Sequence, residues 1–424
     1  MRSSILTAAI AVAISSLSVN AVAATHKVHR HATSTAQTVS AESIAATQAA
    51  ELRQRDEEIS ELKTEMSNLE AKVATLEERT DAQSDINVSN QQNVEKLQAD
   101  VPRVDKIEKL VNNTSVGGKA FIDISTIDQK KNGVKTAASG TGLDVKRFYL
   151  TVNHQFNDIW SASLTTDFNY VSADGETNLF IKKAYLQGKF SDAFVFRAGS
   201  ADMPWIPYAE SFYGFRYVEK TLVDRLSFGN SADWGLNASG KVAGIVDYSV
   251  SGVDGGGFKN PTRTKRMDFE GRLGFTPFDN AVIAIGGYSG TLGKETQTIN
   301  AKHTADRVDF LAAYAKGNTR FGAEYFQAKN WNNVLTTATD KSDGYSLWGS
   351  YGLGEMATIF ARYDHAHNSK DLDPTLTDKY FNAGVEFALT KGLKVAAVYK
   401  NEDLKDHVND TKTQELGVFG EVSF

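Results

Sequence analysis

Two hydrophobic periods divide the chain. From Leu52 the apolar residues Leu52, Ile59, Leu62, Met66, Leu69, Val73 and Leu76 recur at spacings of 7, 3, 4, 3, 4 and 3, with Arg53, Glu57, Lys63, Glu70 and Lys72 between them. Alternating threes and fours make the heptad of a coiled-coil seam. The seam breaks around Thr80 to Asn93 and partly resumes at Val94, Leu97, Val101 and Val104. One helix with such a stripe needs another copy or another surface to cover it, so the pattern predicts an α-helical coiled coil over 51–113.

After Gly117 the period changes to 2, the alternation of strand side chains between two faces. The pattern predicts about sixteen strands, at 117–127, 144–156, 159–171, 178–190, 193–201, 232–241, 245–254, 265–276, 280–290, 305–315, 319–329, 343–352, 356–366, 378–388, 392–402 and 413–424. Short connections rich in turn formers, such as Asn157-Asp158, Pro277-Phe278-Asp279 and Lys391-Gly392, alternate with long ones at 128–143, 172–177, 202–231, 255–264, 291–304, 330–342, 367–377 and 403–412. An antiparallel meander with alternating short turns and long loops predicts an all-β fold, a transmembrane β-barrel over 117–424. A water-soluble sandwich predicts neither the alternation in loop length nor a second apolar surface facing outward.

The ends of the chain give the barrel a destination. Arg2, the apolar run Ile5 to Leu17 and Ala21-Val22-Ala23 read as a signal peptide over 1–24. Residues 25–50 read as a flexible leader, in which His26, His29 and His31 are solvated rather than metal ligands. Leu416, Val418, Gly420, Val422 and Phe424 share one face of the final strand. An exported chain with this last strand predicts the outer membrane, with terminal Phe424 as the signal for the barrel-assembly machinery. An even strand number then leaves both barrel ends, and the coiled coil, in the periplasm.

Composition narrows this further. The chain has no cysteine, which excludes disulfides and an N-terminal lipid anchor on Cys. Net charge is −6, without the basic footprint of a nucleic-acid partner. A mean hydropathy of −0.34 is too polar for a helical membrane bundle and suits a barrel with a wet lumen. His365 and His367 beside Asp364 form a small titratable group, but no hydrolase, metalloprotease or nucleotide motif accompanies them. The sequence therefore predicts no catalytic residue, no metal and no cofactor.

If the apolar face meets lipid, the opposite parity lines the lumen. It carries Arg147, Lys183, Lys189, Arg197, Arg266 and Arg272 among other cations, roughly balanced by acids such as Asp123, Asp167, Glu324 and Asp364. Phe180 and Lys182 fall on the lipid parity, Lys182 near a rim where its stem snorkels. The loop from Ala201 to Ser231 holds Trp205, Tyr208, Phe212, Tyr213, Phe215, Tyr217 and Phe228, too many aromatics for a solvated loop. It is expected to fold inward and narrow the bore, with Arg216, Glu219, Lys220, Asp224 and Arg225 as constriction residues.

Several stretches resemble the family of phosphate-selective porins O and P. They are Lys182-Lys183-Ala184-Tyr185-Leu186, Arg197-Ala198-Gly199 before a Pro-containing loop, Tyr217-Val218-Glu219-Lys220 and Asp224-Arg225-Leu226. The resemblance implies a homotrimeric sixteen-stranded outer-membrane channel for small hydrophilic solutes, anions such as phosphate among them, with a periplasmic N-terminal segment. Here Arg216, Lys220 and Arg225 are interleaved with Glu219 and Asp224, which departs from an unopposed basic constriction and predicts weak anion preference or none. Two alternatives stand beside this reading. One is a sugar-specific porin using the loop aromatics, and the other is a structural envelope protein tethering the outer membrane through its coiled coil.

Overall fold

The computed structural model describes residues 41–171, 176–354 and 356–424. The signal peptide and residues 25–40 of the leader lie outside the described residues. The chain divides into two compact units, Met1–Ala99 and Asp100–Phe424. Helix α1 (Ala41–Asn113) begins ten residues before the predicted coil, within the stretch read as flexible leader, and runs unbroken through Pro102 and through the gap in the heptads. Its apolar stripe lies open in the single chain, with Leu62, Leu69 and Leu76 all exposed. No described helix is long and apolar enough to cross a membrane.

The remainder is a closed antiparallel β-barrel. Its first strands are β1 (Thr114–Lys131), the two-residue β2 (Val134–Lys135), β3 (Gly140–Gln155), β4 (Trp160–Val171), β5 (Glu176–Ser191), β6 (Phe194–Asp202), β7 (Ala232–Val242), β8 (Val246–Val253) and β9 (Asp268–Phe275). They continue as β10 (Ala281–Gly290), β11 (Ala305–Lys316), β12 (Thr319–Lys329), β13 (Lys341–Leu353), β14 (Ala357–His367), β15 (Thr377–Thr390), β16 (Leu393–Lys405) and β17 (Asp410–Ser423). Apart from β2, which pairs with β1 inside the first long loop, sixteen strands each bond to the next, and β17 closes on β1.

Alternation places the side chains as the period predicts. In β14, Phe360, Arg362 and Asp364 are buried inside while Ile359, Tyr363 and His365 face out. The outward apolar residues, Phe269 and Leu347 among them, are exposed, as on the lipid-facing surface of a transmembrane barrel. Short turns need left-handed backbone: Ala243 and Gly244, between β7 and β8, have φ of 51° and 72°. At the seam of the barrel Gly118 and Phe424 exchange backbone hydrogen bonds of 3.0 and 3.1 Å. The Phe424 ring covers Gly118 so closely that a Cβ there would sit 2.2 Å from it.

Four register shifts interrupt the sheet, and besides those next to the short turns at Lys189/Ser191 and Ala388/Thr390, two lie within the strands and change the parity reading. In the β1–β3 pair Phe121 faces Arg147 and Ile122 faces Val145, leaving Lys146 extra. In the β4–β5 pair Thr165 faces Lys183 and Thr166 faces Ile181, leaving Lys182 extra. A bulge sets two residues against one and turns consecutive side chains to the same side. Lys182 therefore faces the lumen, where its Nζ meets the Tyr149 hydroxyl at 3.2 Å, and not lipid at a rim. Phe180 also faces in, stacked on Phe258 at 5.8 Å, while Leu179 and Ile181 take the lipid side.

Candidate functional site

The segment between β6 and β7 folds into the barrel. It contains α2 (Ile206–Tyr213), closed by Gly214 at φ 81°, and the single turn α3 (Leu222–Arg225). Trp205, Leu222 and Val223 are fully buried against the inner wall, and Phe215 stacks on Phe360 at 4.3 Å. The polar bonds that fix the segment run to the arc of the barrel from β8 to β16. Trp205 donates its backbone N–H to Glu270 and its indole N–H to Glu324, both at 2.8 Å. Arg272 donates to Pro204 O at 3.0 Å, and Arg307 and Arg362 donate to the carbonyls of Phe228 and Lys220. Tyr217 donates to Glu386 at 2.9 Å. These partners lie on β9 to β15, and Asp247 on β8 accepts from Tyr208 at 3.1 Å beside them, so the charged residues of that wall are engaged in holding the loop.

The predicted constriction residues separate accordingly. Arg225 turns toward the wall, where its guanidinium meets Asp364 at 3.0 Å and Asp378 and Glu402 at 2.7 Å each. It anchors the loop and does not face the gap. Glu219 lies against Lys400 at 3.4 Å. Burial alone would raise the Glu219 pKa, but Lys400, Lys146 and Arg225 outweigh it and lower the value to about 2. Arg216, Lys220 and Asp224 do reach open space. Arg216 bonds Glu210 at 2.5 Å and Asp224 at 3.4 Å, and Lys220 sits 3.9 Å from Asp224. Burial raises the Glu210 pKa, with Arg216 opposing.

Two cavities border the loop. One, of about 400 Å³, is lined by Arg147, Lys220, Asp224, Lys259 and Lys294, together with the Gly255-Gly256-Gly257 turn. The other, of about 380 Å³, is lined by Tyr149, Lys182, Lys183, Asp202, Glu210 and Arg216. The waist of the lumen thus has the loop on one side and β3 to β5 on the other. Arg147 is paired with Asp167 at 2.8 Å and Lys183 with Asp202 at 2.7 Å. Lys182 has no carboxylate within ion-pair distance among the described residues, and its ammonium lies 4.6 Å above the Tyr149 ring.

Other predicted lumen residues lie elsewhere. Lys189 pairs with Asp192 at the exposed short-turn end. Arg197 bonds Gln187 at 2.8 Å, over the Tyr185 ring. Arg272 is a loop anchor. Arg266 precedes β9, because that strand begins at Asp268, and it pairs with Glu295 in the long-loop region. The histidine group is also split: Asp364 faces in and pairs with Arg362 at 2.7 Å, whereas His367 faces out to Asp343 at 3.0 Å. The parity reading missed Lys146, which faces in on its bulge and meets Asp123 at 2.6 Å. The signal for both bulges was present as the basic doublets Lys146-Arg147 and Lys182-Lys183. One member of each would otherwise meet lipid, at about 2–4 kcal/mol near the membrane midplane.

No family model and no curated protein sequence matches the chain. Solved structures do. The outer membrane channel DcaP of Acinetobacter baumannii aligns at 12% identity and a TM-score of 0.55, covering 73% of this chain and 97% of that one. An anion-selective porin from Comamonas acidovorans aligns at 13% and 0.52, covering 73% and 99%. Salmonella typhi OmpF, in complex with daunomycin, aligns at 11% and 0.51, covering 73% and 97%. The barrel of this chain therefore has the fold of outer-membrane porins.

Proposed function

We propose that the protein is an outer-membrane porin, a passive channel for small hydrophilic solutes that favours anions at its waist. The charge facing the gap carries this reading. Arg147, Lys119, Lys182, Lys183, Arg216, Lys220, Lys259, Lys294 and Lys394 line it against Asp202, Glu210, Asp224 and Glu421. The net positive field acts between low-dielectric walls that focus it. Several of these cations are paired with acids, so the preference is modest, and inorganic phosphate is one of several anions it would pass. The porin fold and the anion selectivity of the Comamonas neighbour support the reading. The sugar-specific alternative loses support because Trp205, Tyr213, Phe215, Tyr217 and Phe228 are buried as wall packing instead of lining a slide. Reversal potentials in a KCl gradient across planar bilayers test the proposal. Chloride should be favoured, and Lys182→Gln with Lys183→Gln should reduce the preference. Cation selectivity in the unmodified protein, or no stepwise conductance, overturns it.

Export by the signal peptide over 1–24, insertion with Phe424 read by the barrel-assembly machinery, and assembly as a homotrimer complete the reading. In it, the helix lies in the periplasm. Its exposed Leu62, Leu69 and Leu76 suit a seam between copies.

A further inference from the structure

Two depressions adjoin on the outward face of the barrel near its long-loop end. The first, of about 240 Å³, is lined by Lys329, Lys341, Lys370, Asp306, Gln327 and Asp343. Lys329 and Lys341 are directly opposite one another on β12 and β13, and both point outward. Neither makes a salt bridge among the described residues. The acids nearby are already engaged: Asp306 accepts from Ser289 at 2.6 Å and Thr304 at 3.1 Å, and Asp343 holds Lys370 and His367. Like charges directly opposite destabilise a strand pair, and with three lysines against two carboxylates the cup carries a net positive charge that a bound anion would offset.

The second depression is an apolar trough of about 790 Å³, bounded by Leu236, Val250, Phe269 and Val308. Gly271 and Gly287, paired across β9 and β10, form its floor. A Cβ at these positions would lie 3.8 and 3.4 Å from its nearest neighbour, so packing does not require glycine at either. Their effect is to leave space. Asp306 and Val308 line both depressions, so the cup opens directly onto the trough.

We propose that this is a binding site for a phosphate-bearing acyl lipid of the outer leaflet, with its phosphate on Lys329, Lys341 and Lys370 and one acyl chain over Gly271 and Gly287. A cationic cup adjoining an apolar trough matches the two chemistries of such a lipid, a charged headgroup next to an acyl chain. The inference rests on the outer-membrane reading, with the long-loop end facing outside.

Native mass spectrometry of the full chain in detergent, titrated with bisphosphorylated hexa-acyl lipid A, tests it. The unmodified protein should retain one lipid per chain. K329Q/K341Q/K370Q and G271V/G287V should each weaken retention by about tenfold or more, while heat-modifiable gel mobility shows that both still fold. Retention equal to the unmodified protein in both variants overturns the site. Displacement by millimolar inorganic phosphate makes it a free-anion site and overturns the lipid assignment. Cross-linking of two copies through V308C in lipid-free detergent identifies a second copy as the occupant and also overturns it. Planar-bilayer currents from the same samples keep the two readings apart. A protein that binds lipid but passes no current fails as a channel and retains the lipid site.

Discussion

Glu219 couples the inward loop to pH. Its folded pKa, about 2, is depressed below the ordinary 4.5 by Lys400, Lys146 and Arg225 acting against burial. The carboxylate therefore contributes stability that is fully present above about pH 4.5 and is lost as pH falls through about 2, on the order of 3 kcal/mol. Single-channel current should stay quiet from neutral pH down to about 4 and become noisy as pH approaches 2. Glu219→Gln should bring that noise to neutral pH. Arg225 makes the same point through geometry. Arg225→Gln leaves Asp364, Asp378 and Glu402 without their shared cation, a loss of about 3 kcal/mol or more. It should raise open-channel noise with little change in reversal potential, whereas Lys182→Gln should shift the reversal potential and leave the noise unchanged. Both residues showed in the sequence as charges near a constriction. Which of them faces wall and which faces water depends on contacts between residues more than a hundred positions apart, such as Arg225 with Asp364, and no local pattern encodes those.

At the scale of the element, period and turn chemistry were legible for all sixteen barrel strands, with ends such as those of β1, β3 and β9 displaced by three or four residues and the short β2 unread. The predicted strand at 319–329 is β12 itself, and the even alternation of short and long connections is that of the closed sheet. Reading failed where a strand contains one residue more than its partner, since a bulge leaves hydrophobic alternation intact on either side of the extra position. It also failed where a strand starts late, as at Arg266. Deletion of Lys182 should remove the β5 bulge without inverting any side chain, because Ile181 already faces out and Lys183 in. Heat-modifiable gel mobility should be unchanged and anion preference reduced. Insertion of one residue between Leu347 and Trp348 in regular β13 should prevent folding, by turning half the strand's apolar face into the lumen.

For the whole molecule, the helical stripe and the barrel make separable predictions. Deleting residues 51–110 should leave conductance per channel unchanged while sedimentation shows a shift to smaller species. Loss of current would show that the helix is needed for the pore itself. The inward loop has a broader consequence. Its anchors come from β8 to β16, and the groups across the gap come largely from β3 to β5, with Lys119 on β1 and Lys394 on β16 beside them. In the proposed channel, the anchors of the constriction and many of the cations that face the solute thus lie on different stretches of chain. In that channel, substitutions in β3 to β5 would alter selectivity with little effect on the anchors, and an exchange of residues 140–191 between relatives would transplant the share of the preference that Arg147, Lys182 and Lys183 supply while leaving that of Arg216 and Lys220 in place.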